Sequence, residues 1–148
     1  MPPTISPAAP TDLPAILDLL RASGLPLDGL AEHLATTVTA RENGRLVGCA
    51  AVELYGESAL LRSVAVDETL RGQGLGRALT AAALDLARAR GARIAYLLTT
   101  TAGGYFPRLG FREITRDAVD PAVQQSVEFT TACPASALVM RADLGANG

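Results

Sequence analysis

Leu13, Ile16, Leu17 and Leu20 recur at the three- and four-residue steps that gather apolar side chains on one stripe of a helix. Thr11 or Asp12 can cap that helix, and Gly24 can end it. A short strand at residues 4–6 precedes it, a loop containing Pro26 follows over 24–29, and residues 30–34 predict a second short helix. The period then changes to strand type. Residues 36–42 and 46–54 flank Asn43-Gly44, a pair that takes the left-handed angles of a two-residue hairpin turn. After a turn at Gly56-Glu57, residues 59–66 predict a central strand, so three antiparallel strands are expected in a row.

A long helix is predicted over 74–90, with Leu75, Leu79, Ala82, Leu86 and Ala89 as its buried stripe. Arg88 and Arg90 suit its negative end, and Gly91 supplies a left-handed stop. The apolar run 94–98 reads as an inner strand covered on both faces. Helical signal returns over 102–109, Gly110-Phe111 opens another strand, and 137–144 is expected to close the sheet after a polar insert.

The chain has 148 residues, the length of one domain with one core, so residues 1–148 are expected to form a single unit. Hydrophobic residues make up 49% and charged ones 19%, the balance of a globular protein. A formal net charge of −2 gives no general attraction to phosphate backbones or anionic lipid, so neither nucleic acid nor a membrane is the expected partner. A small soluble ligand fits better. The start, Met1-Pro2-Pro3-Thr4, has neither a signal-peptide pattern nor a long apolar run, which points to the cytoplasm. Cys49 and Cys133 are too few and too far apart for a disulfide framework or a zinc site and are expected to be reduced thiols. His33 is the single histidine, so no metal site and no Ser-His-Asp triad is expected, and its polar surroundings predict an exposed position.

The chemistry concentrates in Arg71-Gly72-Gln73-Gly74-Leu75-Gly76, between the predicted central strand and the long helix. Glycines there leave backbone N–H groups uncovered at a helix start, where they can grip a phosphate, and Arg71 and Arg77 can add charge. A nucleoside-triphosphate loop would need Gly-Lys followed by Ser or Thr, and a dinucleotide fingerprint would need glycine where Arg77 or Leu79 stands. An ordinary glycine-rich helix cap is the remaining alternative.

The order of a Val64-Ala65-Val66 strand end, Arg71-x-x-Gly74-x-Gly76, an amphipathic helix, an apolar strand and Phe106-x-x-x-Gly110-Phe111 resembles the GNAT superfamily of acetyltransferases. The resemblance, over roughly residues 5–111, implies an α/β (α+β) fold. Its mixed, mostly antiparallel sheet would have splayed central strands flanked by helices. It also implies acetyl-CoA as cosubstrate, with Val64, Ala65 and Val66 along the pantetheine and Arg71, Gly72, Gln73, Gly74, Leu75, Gly76 and Arg77 around the pyrophosphate. Thr99 and Phe106 complete the cofactor-side candidates. A narrower similarity, in residues 60–66, 96–102 and 128–137, is to ArsN-type arsenic-resistance N-acetyltransferases. It implies a small amino-acid-like amine as substrate, arsenic-containing antimetabolites included.

Acetyl transfer requires a neutral amine and benefits from a proton for the leaving thiolate. Glu53, late in a central strand, is the candidate base, acting through a water; the alternative is a solvent-facing strand end. The family often places a tyrosine where this chain has Phe106, so Tyr105 is the candidate acid, although it lies about 100° away around a helix. Positioning and backbone polarisation without an acid form the other route. Arg62, a charge within an apolar strand, either receives a substrate anion or forms an internal ion pair with Glu53 or another acid. Ser63 and Thr100 join it on the substrate side; Thr100 and Thr101 can equally cap a helix. Arsenic ligation by Cys133 has only a lone thiol to support it.

Overall fold

The computed structural model describes residues 3–99, 106–126, 128–129 and 137–145. Strands β1 (Thr4–Pro7), β2 (Thr37–Glu42), β3 (Arg45–Tyr55) and β4 (Ser58–Val66) run antiparallel to their neighbours. The β2–β3 hairpin turns at Asn43 (φ 54°) and Gly44 (φ 78°), as the Asn-Gly pair predicts. Helix α1 (Leu13–Ala22) lies between β1 and β2 in sequence, and α2 (Leu75–Ala89) carries the chain over the sheet to β5 (Ile94–Thr99), which pairs parallel to β4. A parallel neighbour needs such a crossover, because a hairpin can only return antiparallel.

With β6 (Arg112–Ile114) and β7 (Leu138–Asp143) the sheet has seven strands in the order β1-β2-β3-β4-β5-β7-β6. The last strand therefore does not close the sheet. It inserts between β5 and β6, pairing antiparallel with both, and leaves β6 at the edge.

The two sheet faces bury different partners. On one, α2 packs Leu75, Leu79, Ala83, Leu84 and Ala87 over Ala50, Val52, Ala59, Leu61, Ala95 and Leu97. Removing Leu79 and Leu84 from water contributes about 1.5–3 kcal/mol each. The predicted stripe was rotated: Ala83 and Ala87 are buried, Ala82 and Leu86 sit at its margin, and Ala89 is exposed. The four-residue step Leu75, Leu79, Ala83, Ala87 is buried along its whole length. Gly48 of β3 leaves room for it, since a Cβ there would stand 2.7 Å from Leu79 Cδ1 and 3.3 Å from the Ala65 carbonyl oxygen. On the other face Ile16 and Leu20 of α1 and Leu30 pack on Cys49, Ala51 and Ala65.

Local differences have local causes. Asp12 precedes α1, but its carboxylate accepts the Ala9 N–H at 2.7 Å and pairs with Arg41 rather than capping α1. The segment predicted as a helix over 30–34 is a 3-10 helix, Leu30–Thr36, with non-helical angles at His33, and β2 starts at Thr37. Of the helix predicted over 102–109, residues 102–105 lie outside the described residues and Pro107–Leu109 forms one 3-10 turn. Among the described residues no helix is long and apolar enough to cross a membrane.

Candidate active site

The strands part beside a bulge. β4 pairs with β5 only from Ser58 to Leu61, after which β5 continues alongside β7 to Thr99 and β4 from Arg62 to Val66 has no described strand on that side. On its other side Cys49 pairs with Ala65 and Ala51 with Arg62, so Ser63 and Val64 both stand across from Ala50. The extra residue forces a bend. Ser63 takes it up at φ 60°, a conformation that costs a non-glycine residue about 1–3 kcal/mol.

Two side chains hold that residue. The Cys49 thiol donates to the Ser63 carbonyl at 3.2 Å, and Arg62 Nε donates to Ser63 Oγ at 3.0 Å. Burial pushes the Cys49 thiol up to about 12, against a smaller opposing effect of a hydrogen bond to the Ala65 backbone. It is a packed thiol and not a nucleophile.

Arg62 opens a buried polar chain that sequence spacing does not reveal. Its side chain has no solvent exposure; Nη1 donates to Glu53 Oε2 at 2.8 Å, and Nη2 stands 3.7 Å from Glu128 Oε2. Of the two readings of Arg62, the internal ion pair with Glu53 is the arrangement present. Glu53 is not a solvent-facing strand end: it is 1% exposed, and its Oε1 accepts the Tyr55 hydroxyl. Burial raises the Glu53 carboxyl, but hydrogen bonds from Ser126, Tyr55 and Arg62 and the charge of His33 together outweigh it and leave the pKa below the ordinary value. Tyr55 is pushed up to about 12 by burial and then by Glu53, and so stays a proton donor. His33 is not the surface residue its polar neighbours suggest. Its side chain is 25% exposed, with Nε2 3.8 Å from Glu53 Oε2. Tyr55 was legible in principle, being two residues from Glu53 on the same strand face. His33, Ser126 and Glu128 come from distant segments and left no such signal.

Directly after β4, Asp67 accepts the Thr69 hydroxyl at 2.7 Å, the Thr69 N–H at 3.0 Å and Arg45 at 2.9 Å, which lower its pKa to about 2. Asp-x-Thr is a local turn signal, and here it sets the path into the glycine loop. Arg71, Gly72, Gln73 and Gly74 are exposed, as is Arg77. Gly74 stands at φ 85° before α2 with no side-chain cap, leaving the N–H groups of Leu75, Gly76 and Arg77 at an open helix start. Arg71 Nε donates to the Val66 carbonyl at 3.1 Å, tying loop to strand. A pocket of about 320 Å³ borders the loop on its β1 side, lined by Ile5, Glu42, Gln73 and Gly74 among others. Thr99 ends β5 beyond the parting point, and Phe106 meets Phe111 edge to face, ring centroids 6.0 Å apart. Tyr105, Thr100, Thr101 and Cys133 lie outside the described residues. Among those described, no group of three or more His, Cys, Asp or Glu is placed to hold a metal ion.

A parted sheet with a bulge at its fork, followed by an uncapped helix start, defines an acyl-coenzyme A type of fold, and the chain belongs to the acetyltransferase (GNAT) domain family, whose model matches residues 33–113. Among individual relatives, it is 32% identical over 124 residues to an amino-acid acetyltransferase of Mycobacterium tuberculosis, covering 76% of this chain and 70% of that protein. It is also 32% identical over 92 residues to an N-acetyltransferase of Chlorobaculum tepidum, covering 62% of this chain and only 59% of that relative. A Mycobacterium tuberculosis protein solved with CoA superposes with a TM-score of 0.81 at 25% identity, over 95% of this chain and 99% of the other. The N-acetylglutamate synthase of Neisseria gonorrhoeae, solved with coenzyme A and N-acetyl-glutamate, gives a TM-score of 0.82 at 23% identity; the match covers 97% of this chain but 35% of that one. The narrower ArsN-type likeness is not reflected in these relatives.

Proposed function

We propose that residues 1–148 act as one acetyl-CoA-dependent N-acetyltransferase that acetylates the amine of a small amino-acid-like molecule. The observation that carries it is that β4 from Arg62 to Val66, which has no described strand on its β5 side, leads through the glycine loop to the open N-terminus of α2. An extended amide-bearing arm fits the first, and a diphosphate fits the second, because backbone donors and the helix dipole favour an anion there. Val64, Ala65 and Val66 would hold the arm, Gly72 to Arg77 the diphosphate, and Thr99 and Phe106 the far wall of the fork. The thioester supplies an activated acyl group; the chain supplies alignment, which can account for a large part of the rate.

On the substrate side, Arg62 keeps Ser63 in its strained conformation, and Glu53 holds Arg62 in place. Tyr55 and, by position in sequence, Tyr105 and Thr100 are the remaining polar candidates around the acceptor. Amino acids, glutamate first among them, are the acceptors to test, because one relative is named an amino-acid acetyltransferase and the synthase structure holds N-acetyl-glutamate. Arsenic-bearing amino-acid analogues form the narrower class suggested by the similarity at residues 60–66 and 128–137. Thiol release from acetyl-CoA, measured across amino acids, their phosphinate and arsenic analogues and short peptides, tests the reading. Amine-dependent release with free amino acids is expected. Release only with peptides would make the chain a protein acetyltransferase, and binding without release would make it a sensor, the reading favoured by phenylalanine at position 106.

A further inference from the structure

We propose that His33 is the catalytic proton acceptor of this site, receiving the proton that the substrate ammonium must lose, with Glu53, whose carboxylate faces its ring, as the positioning residue. The inference rests on the acetyltransferase reading and deepens it.

The amine must be neutral when it attacks, so some group must accept a proton near neutral pH. The neighbouring side chains exclude themselves in turn. Glu53 is buried, hydrogen-bonded on both oxygens and held below its ordinary pKa, a weak acceptor with no open face. Tyr55 and Cys49 are both pushed up to about 12 and keep their protons. Arg62 is permanently charged. His33 differs on each count. Its side chain is one-quarter exposed, so a proton can leave to water, and it lies beside the Glu53 carboxylate, Nε2 3.8 Å from Oε2.

The backbone is shaped to present this residue. The 3-10 segment breaks at His33, at φ −116° and ψ 20°, and its carbonyl accepts the hydroxyls of Thr36 at 3.1 Å and Thr37 at 2.9 Å. Thr36 also donates to the Val52 carbonyl, pinning the segment to β3. Glu53 of β3 is the charged group that faces the ring among the described residues; Tyr55 of β3 and Arg62 of β4 contact Glu53, Glu128 stands against Arg62, and Glu32 of its own segment is exposed. A proton on Glu53 would break its pair with Arg62.

In the step, the substrate ammonium gives one proton to the His33 imidazole. The freed nitrogen lone pair forms the C–N bond at the thioester carbonyl as the C–S bond breaks with its electron pair on sulfur. The second amine proton passes to that sulfur to give the thiol, and the imidazolium releases its proton to water.

Since the chain has one histidine, the untagged protein gives a single imidazole resonance, and its NMR titration reports His33 alone. In wild type the acid limb of kcat/KM, measured with the most active amino acid of the panel, should coincide with that NMR midpoint, and in Glu53→Gln limb and midpoint should still move together. His33→Gln should lower kcat about 100-fold and abolish the limb, with acetyl-CoA affinity within about twofold of wild type. A His33→Gln enzyme with near wild-type kcat, or one that keeps the acid limb, overturns the assignment while leaving the acetyltransferase reading intact. Absence of amine-dependent thiol release from wild type overturns both. The coincidence of midpoint and limb in wild type needs no variant, so a misfolded Glu53→Gln does not spare the proposal.

Discussion

Ser63 shows how one residue can define a site. Its positive φ is unfavourable for a side chain with a Cβ, yet the Cys49 thiol and the Arg62 guanidinium fix it from two sides, and the bend parts β4 from β5. Ser63→Val should therefore lower stability by about 1–3 kcal/mol, read from a urea midpoint, because a β-branched residue is poorly tolerated at that angle. Ser63→Gly should stay within about 1 kcal/mol of wild type, since glycine accepts the angle while losing the hydroxyl contact. Equal losses in the two variants would mean that the conformation is not what matters. Cys49 yields a second expectation. In a Cys133→Ser background, iodoacetamide should leave Cys49 unmodified in the native protein and alkylate it after denaturation, as its pKa of about 12 and burial require. Modification of the native protein at the rate of a free thiol would contradict that.

At the scale of elements, the pairing of α2 with β3 is the contact with least slack. Gly48→Ala should cost about 1–3 kcal/mol, because the new Cβ must displace Leu79 within a filled core. A thermal midpoint indistinguishable from wild type would show that α2 can ride higher on the sheet. Most elements were legible because their signals are local: a helical period in α1, Asn43-Gly44 between β2 and β3, and Gly91 at the end of α2. Where β7 inserts is a non-local choice among strand edges, and no residue within 138–143 states it. The polar cluster was hidden for the same reason. Glu53 and Arg62 stand out individually as charges in apolar strands, but His33 and Glu128 are brought to them from 20 and 66 residues away by the fold, on residue numbers 33, 53, 62 and 128. The glycine loop was readable because its function lies in backbone geometry, which glycine spacing encodes directly.

For the whole molecule, the buried Glu53–Arg62 pair links stability to pH. A carboxyl whose folded pKa lies below its unfolded value contributes stability above the ordinary carboxylate range and loses it as pH falls through the folded value. Denaturation midpoints should hence drop between about pH 5 and the acid limit, and Glu53→Gln should be destabilised by about 3–5 kcal/mol at pH 7, with the gap to wild type narrowing in acid. A gap constant across that range would place the coupling elsewhere.

The fold and the proposed chemistry meet at the start of α2. Titration of acetyl-CoA by calorimetry into wild type and Gly74→Val tests that junction, because valine at φ 85° strains the loop that opens α2. Saturable binding to wild type, weakened at least about tenfold in the folded variant, is the predicted result. No measurable binding to wild type, or equal affinity in a correctly folded Gly74→Val, would contradict the account.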